Sequence, residues 1–169
     1  MAKEYSGKEV RSMLEALGDR ANEIITLAER AQAEVASATF GPYFHFRDKV
    51  QEFEAFTIIV NQRVVNVKKI EDENYMSRFN DCVGNHFKTL VAGSLHFLFA
   101  LSANTTLPLG SKEVFLSELR TLHNTREKLR EEKYAHLIDE NTQNDLETAE
   151  EILTEIIDKA PSLLSFGQL

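Results

Sequence analysis

Apolar residues recur every three or four positions along most of the chain, which is the spacing of an amphipathic helix with one buried face. In the first helix these positions are Val10, Leu14, Leu17, Ala21, Ile24, Ala28, Ala31 and Val35. Ser6 and Glu9 have the spacing of a capping box, in which each side chain bonds a free backbone N–H at the helix start. We expect this helix to run to about Ala38, with Gly41-Pro42 ending it.

A second helix is predicted to start between Tyr43 and Phe46 and to keep the same spacing. Its apolar positions are Val50, Phe53, Phe56 or Thr57, Val60, Val64 and Val67. The run of β-branched residues would also suit a strand. The length of the segment without Gly or Pro favours the helix.

A third helix is predicted from about Tyr75 to Ala103, after the polar stretch 71–74. Its first half is amphipathic, whereas its second half, residues 91–101, is apolar on nearly all sides. Such a helix needs neighbours on several sides, so we expect it at the centre of a bundle or in a dimer interface.

Two more helices follow a loop over residues 104–110. Ser111 is expected to cap the fourth helix, whose inward positions are Phe115, Leu119, Leu122 and Leu129. The last helix runs from about Thr142 to Lys159 and ends before Pro161; its apolar positions are Leu146, Ala149, Ile152 or Leu153, and Ile156. The pattern therefore predicts an all-α fold, an up-and-down bundle of about five helices. We expect one domain over residues 1–169, with short flexible ends at 1–5 and 162–169.

The composition agrees with a helical protein and limits the ligands and the cellular location that we expect for it. The 169 residues include only 7 Gly and 3 Pro, too few for the frequent turns of an all-β fold. A net charge of -8 argues against a broad phosphate-binding surface, although it allows a small basic site. Cys82 has no second cysteine with which to form a disulfide. The first residues do not show the pattern of a secretory signal peptide. The longest apolar run is shorter than the ~20 residues that a membrane-spanning helix needs. We expect a cytoplasmic protein that does not contact a membrane.

The single cysteine and the histidines give little support to metal or thiol chemistry. No Glu is followed three positions later by His, so the ligand pattern of a di-iron bundle is absent, and we expect neither a metal nor another cofactor. Cys82 and His86 share a helix face, but Cys82 is expected to be a small buried apolar residue rather than a nucleophile. We expect His96 to be a hydrogen-bonded core residue and His45 to pack at the start of its helix.

Basic residues are concentrated in one stretch of this acidic chain: Arg120, Arg126, Lys128, Arg130 and Lys133. One interpretation is a solvated helix face with charge pairs one turn apart. The other is a functional site, because the stretch ends in Tyr134-Ala135-His136, and a histidine at a helix end can be both ordered and accessible.

The segment Arg130–His136 resembles the signature of the HEPN superfamily, which is an arginine, a polar residue, three to five further positions and a histidine. Here Arg130 and Glu131 are followed by four residues and then by His136. The form is most similar to the Arg-Asp-Lys-x-x-Ala-His version of abortive-infection-type HEPN proteins. Glu131 stands in place of the usual Asp or Asn, and Lys133 lies one position later than the family lysine.

This resemblance implies a metal-independent endoribonuclease that acts as a homodimer, often as the toxin of a toxin–antitoxin or phage-defence pair. The reaction is an attack of the RNA 2′-hydroxyl on the adjacent phosphate. Because a histidine can accept or donate a proton at neutral pH, the resemblance assigns His136 to proton transfer, Arg130 to phosphate binding through its planar fork, and Glu131 to orienting one of them. The neighbours expected to contact RNA are Arg126, Lys133 and Tyr134. An antitoxin or another protein is an expected partner.

Helix geometry sets a condition on this assignment. Six positions along a straight helix put Arg130 and His136 about 120° apart. They converge only if the helix ends near Tyr134 or if a second protomer supplies the partner residue.

The alternative function is a non-enzymatic interaction or scaffold protein whose apolar third helix and tail hold a partner or a second copy. A metal-binding bundle is the third interpretation.

Overall fold

Every segment with the three-four spacing forms an α-helix in the computed structural model, which describes residues 3–35, 40–71, 74–103 and 111–159. The helices are α1 (Gly7–Val35), α2 (Gly41–Val65), α3 (Tyr75–Ala103), α4 (Ser111–Leu129) and α5 (Glu140–Lys159). Short 3-10 helices at Lys69–Glu71 and Glu132–Leu137 follow α2 and α4. No strand is present in the described ranges, and the predicted all-α helical bundle is confirmed. None of the helices within these ranges is long and apolar enough to cross a bilayer.

The chain forms two compact units, residues 1–86 and 87–169, and the boundary falls inside α3. Helix α3 supplies buried residues to both units: Tyr75, Phe79 and Val83 to the first, and Phe87, Leu90, Val91, Leu95, Phe97, Leu98 and Leu101 to the second. A single domain over 1–169 stays a prediction. The predicted loop 104–110, the residues after 159 and the predicted end of the first helix near Ala38 lie outside the described residues.

The start of α1 matches the predicted capping box. The Glu9 carboxylate accepts hydrogen bonds from the Ser6 N–H and the Ser6 hydroxyl, both at 2.9 Å, and the Glu9 N–H donates to Ser6 Oγ at 3.3 Å. The Gly7 N–H donates to the Glu71 carboxylate, and the Tyr75 hydroxyl donates to the Gly7 carbonyl oxygen at 3.2 Å. A carboxylate at this end of a helix also complements the helix dipole.

Helices α1 and α2 pack along their apolar faces and form the core of the first unit. On α1 every predicted position is buried except Ala21, which is half-buried. On α2 the buried residues are Tyr43, Phe46, Val50, Phe53, Val60 and Val64. The sustained helical period therefore outweighed the β-branched composition of α2.

Two details of α2 differ from the prediction. Gly41-Pro42 was expected to end the first helix, but it forms the first turn of α2. Proline is tolerated there because a first-turn residue has no helical partner for its N–H. Helix α2 ends at Val65, so Val67 lies outside it. Val67 forms an isolated β-bridge with Tyr5 instead.

Two histidines expected to be packed are exposed instead. His45 points outward from the first turns of α2, while its neighbour Phe46 is fully buried. His96 is exposed on the side of α3 opposite its wide buried face, near the half-exposed Phe99. The apolar neighbours in sequence misled the prediction, because adjacent helical residues point about 100° apart.

The second unit is built from the C-terminal part of α3 together with α4 and α5. Leu119, Leu122 and Leu129 of α4 are buried as predicted, while Phe115 is half-buried. On α5 the buried residues Leu146, Ala149 and Leu153 form the predicted row, flanked by the half-buried Ile152 and Ile156. α4 and α5 pack against each other, which brings the segment between them close to the glutamates of α5.

Candidate RNA-binding segment

Helix α4 ends at Leu129, immediately before the predicted motif. The Arg130 N–H still donates to the Arg126 carbonyl oxygen at 3.2 Å, but the Glu131 N–H donates to the Lys128 carbonyl oxygen, three residues back, at 3.1 Å. Glu131 then takes an extended backbone conformation, with φ -62° and ψ 140°. The motif therefore lies in a turn and a 3-10 helix, and the condition derived for a straight helix does not apply to it.

Tyr134 holds the 3-10 helix against the protein. Only 3% of its surface is exposed, and its ring meets the ring of Phe87 edge-on with centroids 5.7 Å apart. The Lys133 ammonium lies 5.1 Å from the centroid of the same ring. Burial raises the pKa of the Tyr134 hydroxyl. Because the ring of Tyr134 faces the core, it does not offer a surface on which an RNA base could stack.

Asp139 fixes the other end of the segment. Its carboxylate accepts hydrogen bonds from the Thr142 N–H at 2.8 Å and the Thr142 hydroxyl at 2.7 Å, and it pairs with the Lys88 ammonium at 3.1 Å. Hydrogen bonds from the hydroxyl and the N–H of Thr142 and from Lys88 hold the pKa of Asp139 well below its ordinary value. The aspartate caps α5, which begins two residues earlier than the predicted Thr142.

The two arginines of the predicted site share one acidic partner. The guanidinium groups of Arg126 and Arg130 both donate to the carboxylate of Glu150 on α5, the second at 3.4 Å. Arg126 also bonds Glu127 through its Nε at 3.1 Å, and its guanidinium lowers the pKa of that glutamate. The side chain of Arg126 is only 9% exposed, whereas that of Arg130 is 50% exposed. Arg126 therefore has a structural position, and Arg130 is the arginine that a ligand can reach.

The remaining predicted residues lie at the surface. Glu131 and Lys133 are both exposed and pair with each other at 3.2 Å. His136 is exposed in the 3-10 helix. The segment thus presents Arg130, Glu131, Lys133 and His136 to solvent, while Arg126 and Tyr134 are turned into the protein.

A cleft of about 630 Å³ opens beside Arg130, between the turn and α5. Its described lining consists of Leu129, Arg130, Ala135, Ile138, Gln143, Leu146, Glu147, Glu150 and Glu151. Arg130 is the one predicted site residue in that set. Three carboxylates against one guanidinium make the cleft acidic, which disfavours the binding of a phosphate inside it.

The thiol and metal sites considered in the sequence analysis are not supported by the described residues. Cys82 is partly buried, and burial raises the pKa of its thiol to about 11, so the nucleophilic thiolate is scarce at neutral pH. His86 is buried and stacks on Phe53 with ring centroids 4.2 Å apart. Within the described ranges there is no group of three or more His, Cys, Asp or Glu residues arranged to hold a metal ion.

Glu150 is the site residue that sequence analysis missed. It lies 20 positions after Arg130 on a different helix, so no local spacing points to it. A signal existed in the run of acidic residues along α5, which faces the basic stretch once the chain turns back. No family model, no curated protein and no solved structure matches this chain. The resemblance of Arg130–His136 to the HEPN signature therefore stays a prediction from those residues alone.

Proposed function

We propose that this chain is a HEPN-like RNA-binding protein that cleaves RNA without a metal, acting as a homodimer through Arg130–His136 in the cytoplasm. The observation that supports the proposal is the end of α4 at Leu129. It leaves Arg130 and His136 exposed on a short segment that is held in its middle by the buried ring of Tyr134 and at its C-terminal end by the Asp139 cap. A fixed turn positions catalytic side chains better than a loop that moves freely.

The residue types suit the cleavage of an RNA phosphodiester by its own 2′-hydroxyl. The 2′ oxygen forms a bond to phosphorus, the bond from phosphorus to the 5′ oxygen breaks, and the products are a 2′,3′-cyclic phosphate and a 5′-hydroxyl. A histidine can accept the proton of the attacking hydroxyl and another can donate one to the leaving oxygen. In a homodimer His136 of each protomer fills one of these roles, and Arg130 stabilises the charge on the phosphate oxygens.

The ion pairs of Arg130 are compatible with this role. They reach Glu150 at 3.4 Å and Glu127 at 3.8 Å, and all three side chains are about half exposed. Ion pairs in such surroundings contribute only ~0–1 kcal/mol. A phosphate can therefore replace the two carboxylates as the partner of Arg130 with only a small loss of free energy.

RNA cleavage in EDTA tests the proposal. We expect Arg130→Ala and His136→Ala to abolish cleavage of a labelled RNA, and the exposed residues Arg120 and His123 provide matched controls. Arg120→Ala and His123→Ala should cleave like the wild type. Equal cleavage by all four variants would indicate a contaminating nuclease, and absence of both RNA binding and cleavage in the wild type would refute the proposal. An antitoxin, if it acts at this segment, should protect the RNA when added.

A second candidate function, a non-enzymatic interaction protein, is favoured by an exposed apolar row on α2. Phe44, Ile58 and Val65 are 45%, 68% and 60% exposed and lie at multiples of seven residues, with Ile59 (46% exposed) beside them. A seven-residue repeat suits pairing with another helix, and a second copy of α2 supplies the same repeat. Sedimentation of the wild type, Ile58→Glu and the polar control Asn61→Glu tests this: only Ile58→Glu should lower the mass, and an unchanged mass refutes pairing through α2.

A further inference from the structure

Glu150 occupies a position where it controls the charge available at Arg130. Its carboxylate accepts hydrogen bonds from Arg126 and from Arg130, the second at 3.4 Å. Arg126 is nearly buried and also binds Glu127, so it holds both carboxylates beside Arg130. Two arginines and two glutamates sum to no net charge. In the free protein the exposed guanidinium of Arg130 is therefore already neutralised by groups within 4 Å.

Because Glu150 also binds Arg126, breaking its ion pair with Arg130 costs little free energy. When Arg130 turns to an incoming phosphate, the Glu150 carboxylate keeps the hydrogen bond from Arg126 and is not left without a cation. The Glu150 side chain is also half exposed, so water solvates the part of the carboxylate that Arg130 leaves. The exchange replaces one exposed ion pair by another with a phosphate oxygen.

We infer that Glu150 is a positioning residue that competes with the RNA phosphate for Arg130, holding the guanidinium in place before RNA binds and releasing it when RNA arrives. The inference rests on the proposed function of Arg130. It assigns Glu150 a restraining role, because the carboxylate reduces affinity for polyanions until it is displaced. Removal of its charge should strengthen RNA binding rather than weaken it.

The chain offers a matched control for this test. Glu151 lies next to Glu150 on α5 and lines the same cleft, and among the ion pairs of the described residues none joins it to Arg130. Glu150→Gln and Glu151→Gln change the net charge equally. Binding is measured by fluorescence anisotropy with a 2′-O-methyl oligonucleotide, which cannot be cleaved by its own 2′-hydroxyl. We expect Glu150→Gln to tighten binding about threefold to fivefold more than Glu151→Gln, the effect of one unit charge at ~4 Å in water.

Two further readouts separate competition from a structural role. The slope of the salt dependence should be the same in the wild type and in Glu150→Gln, because Arg130 contacts a phosphate in both complexes, whereas loss of a structural role of Glu150 would misplace Arg130 and lower the slope by close to one phosphate contact. In an Arg130→Ala background the difference between Glu150→Gln and Glu151→Gln should disappear. A persisting difference would mean that Glu150 acts on RNA directly, which overturns the inference.

The outcomes distinguish this inference from the proposed function. If Arg130→Ala leaves RNA binding unchanged, the role of Arg130 fails and the inference fails with it. If Arg130→Ala weakens binding but Glu150→Gln matches Glu151→Gln, only the inference is wrong. Should Glu150→Gln fold poorly, arginine Nε–H spectra of the wild type give the answer. The Arg130 signal, assigned with Arg130→Lys, should shift on adding the oligonucleotide while that of Arg126 stays, and any other pattern contradicts the exchange.

Discussion

Replacement of Tyr134 by alanine tests whether this residue anchors the motif. The side chain is 3% exposed and its ring packs edge-on against Phe87 at 5.7 Å. Truncation of a buried aromatic residue to alanine costs about 3–5 kcal/mol, of which an aromatic pair supplies ~0.5–1.5 kcal/mol. Since whole domains are stable by only ~5–15 kcal/mol, Tyr134→Ala should visibly lower the urea midpoint followed by circular dichroism.

Two variants serve as controls for this measurement. Tyr134→Phe keeps the ring and loses only the hydroxyl, so it should cost ~1 kcal/mol. Lys133→Ala removes an exposed side chain and should change stability by less than ~1 kcal/mol. Loss of RNA binding in Tyr134→Ala with wild-type stability would refute the anchoring role, because it would place the ring against RNA instead of Phe87.

Three other measurements test separate parts of the structure. Because hydrogen bonds from Thr142 lower the pKa of Asp139, the cap stabilises the fold above the unfolded carboxyl pKa of ~3.9 and loses this effect as the pH falls through the folded pKa. Asp139→Ala should therefore lower the urea midpoint more at pH 7 than at pH 3, and an equal loss at both values would contradict the cap. Alkylation of Cys82 by iodoacetamide at pH 8 should be about a hundredfold slower than that of a free cysteine, since its pKa is raised to about 11; a peptide-like rate would show that the thiol is not buried. Ile24 is 3% exposed and Ile25 is 38% exposed, so Ile24→Ala should cost ~2–5 kcal/mol and Ile25→Ala under ~1 kcal/mol, and similar losses would mean that α1 is rotated.

Helix positions were the part of the fold most accessible from sequence. Helix α3 begins at Tyr75 and ends at Ala103, as its apolar pattern predicted, and the buried face of α1 follows the predicted positions closely. Long helices with an uninterrupted three-four spacing leave few alternatives, because any other structure would expose those residues to water.

The break after Leu129 was not accessible in the same way. The residues Glu131, Glu132, Lys133 and Ala135 all favour helices, and neither Gly nor Pro interrupts them. The chain turns here because Tyr134 is buried against Phe87 and Asp139 caps the next helix, and both contacts join residues distant in sequence. Tertiary contacts of this kind override local propensity.

The sequence pointed to the exposed residues of the candidate segment but not to the side chains that pair with them. Arg130 and His136 are exposed, as a contact with RNA would require, and their roles stay a prediction, whereas Tyr134 and Arg126 were expected to face RNA and are buried. The side chain that compensates Arg130 comes from α5, and a helical pattern gives the face of a residue without naming its neighbour on another helix.

Helix α2 carries apolar residues on two sides, and this affects how it can fold. Its buried side includes Phe46, Phe53 and Val60, and its exposed side includes Ile58 and Val65. A rotation of roughly 100–140° about the helix axis would exchange the two sides, so a chain collapsing onto α1 has two competing docking modes. The exposed side is interrupted by Asp48, Gln51 and Gln62, whose burial would cost free energy in the rotated arrangement. These polar side chains, which make no contribution to the core, therefore determine which side of α2 turns inward.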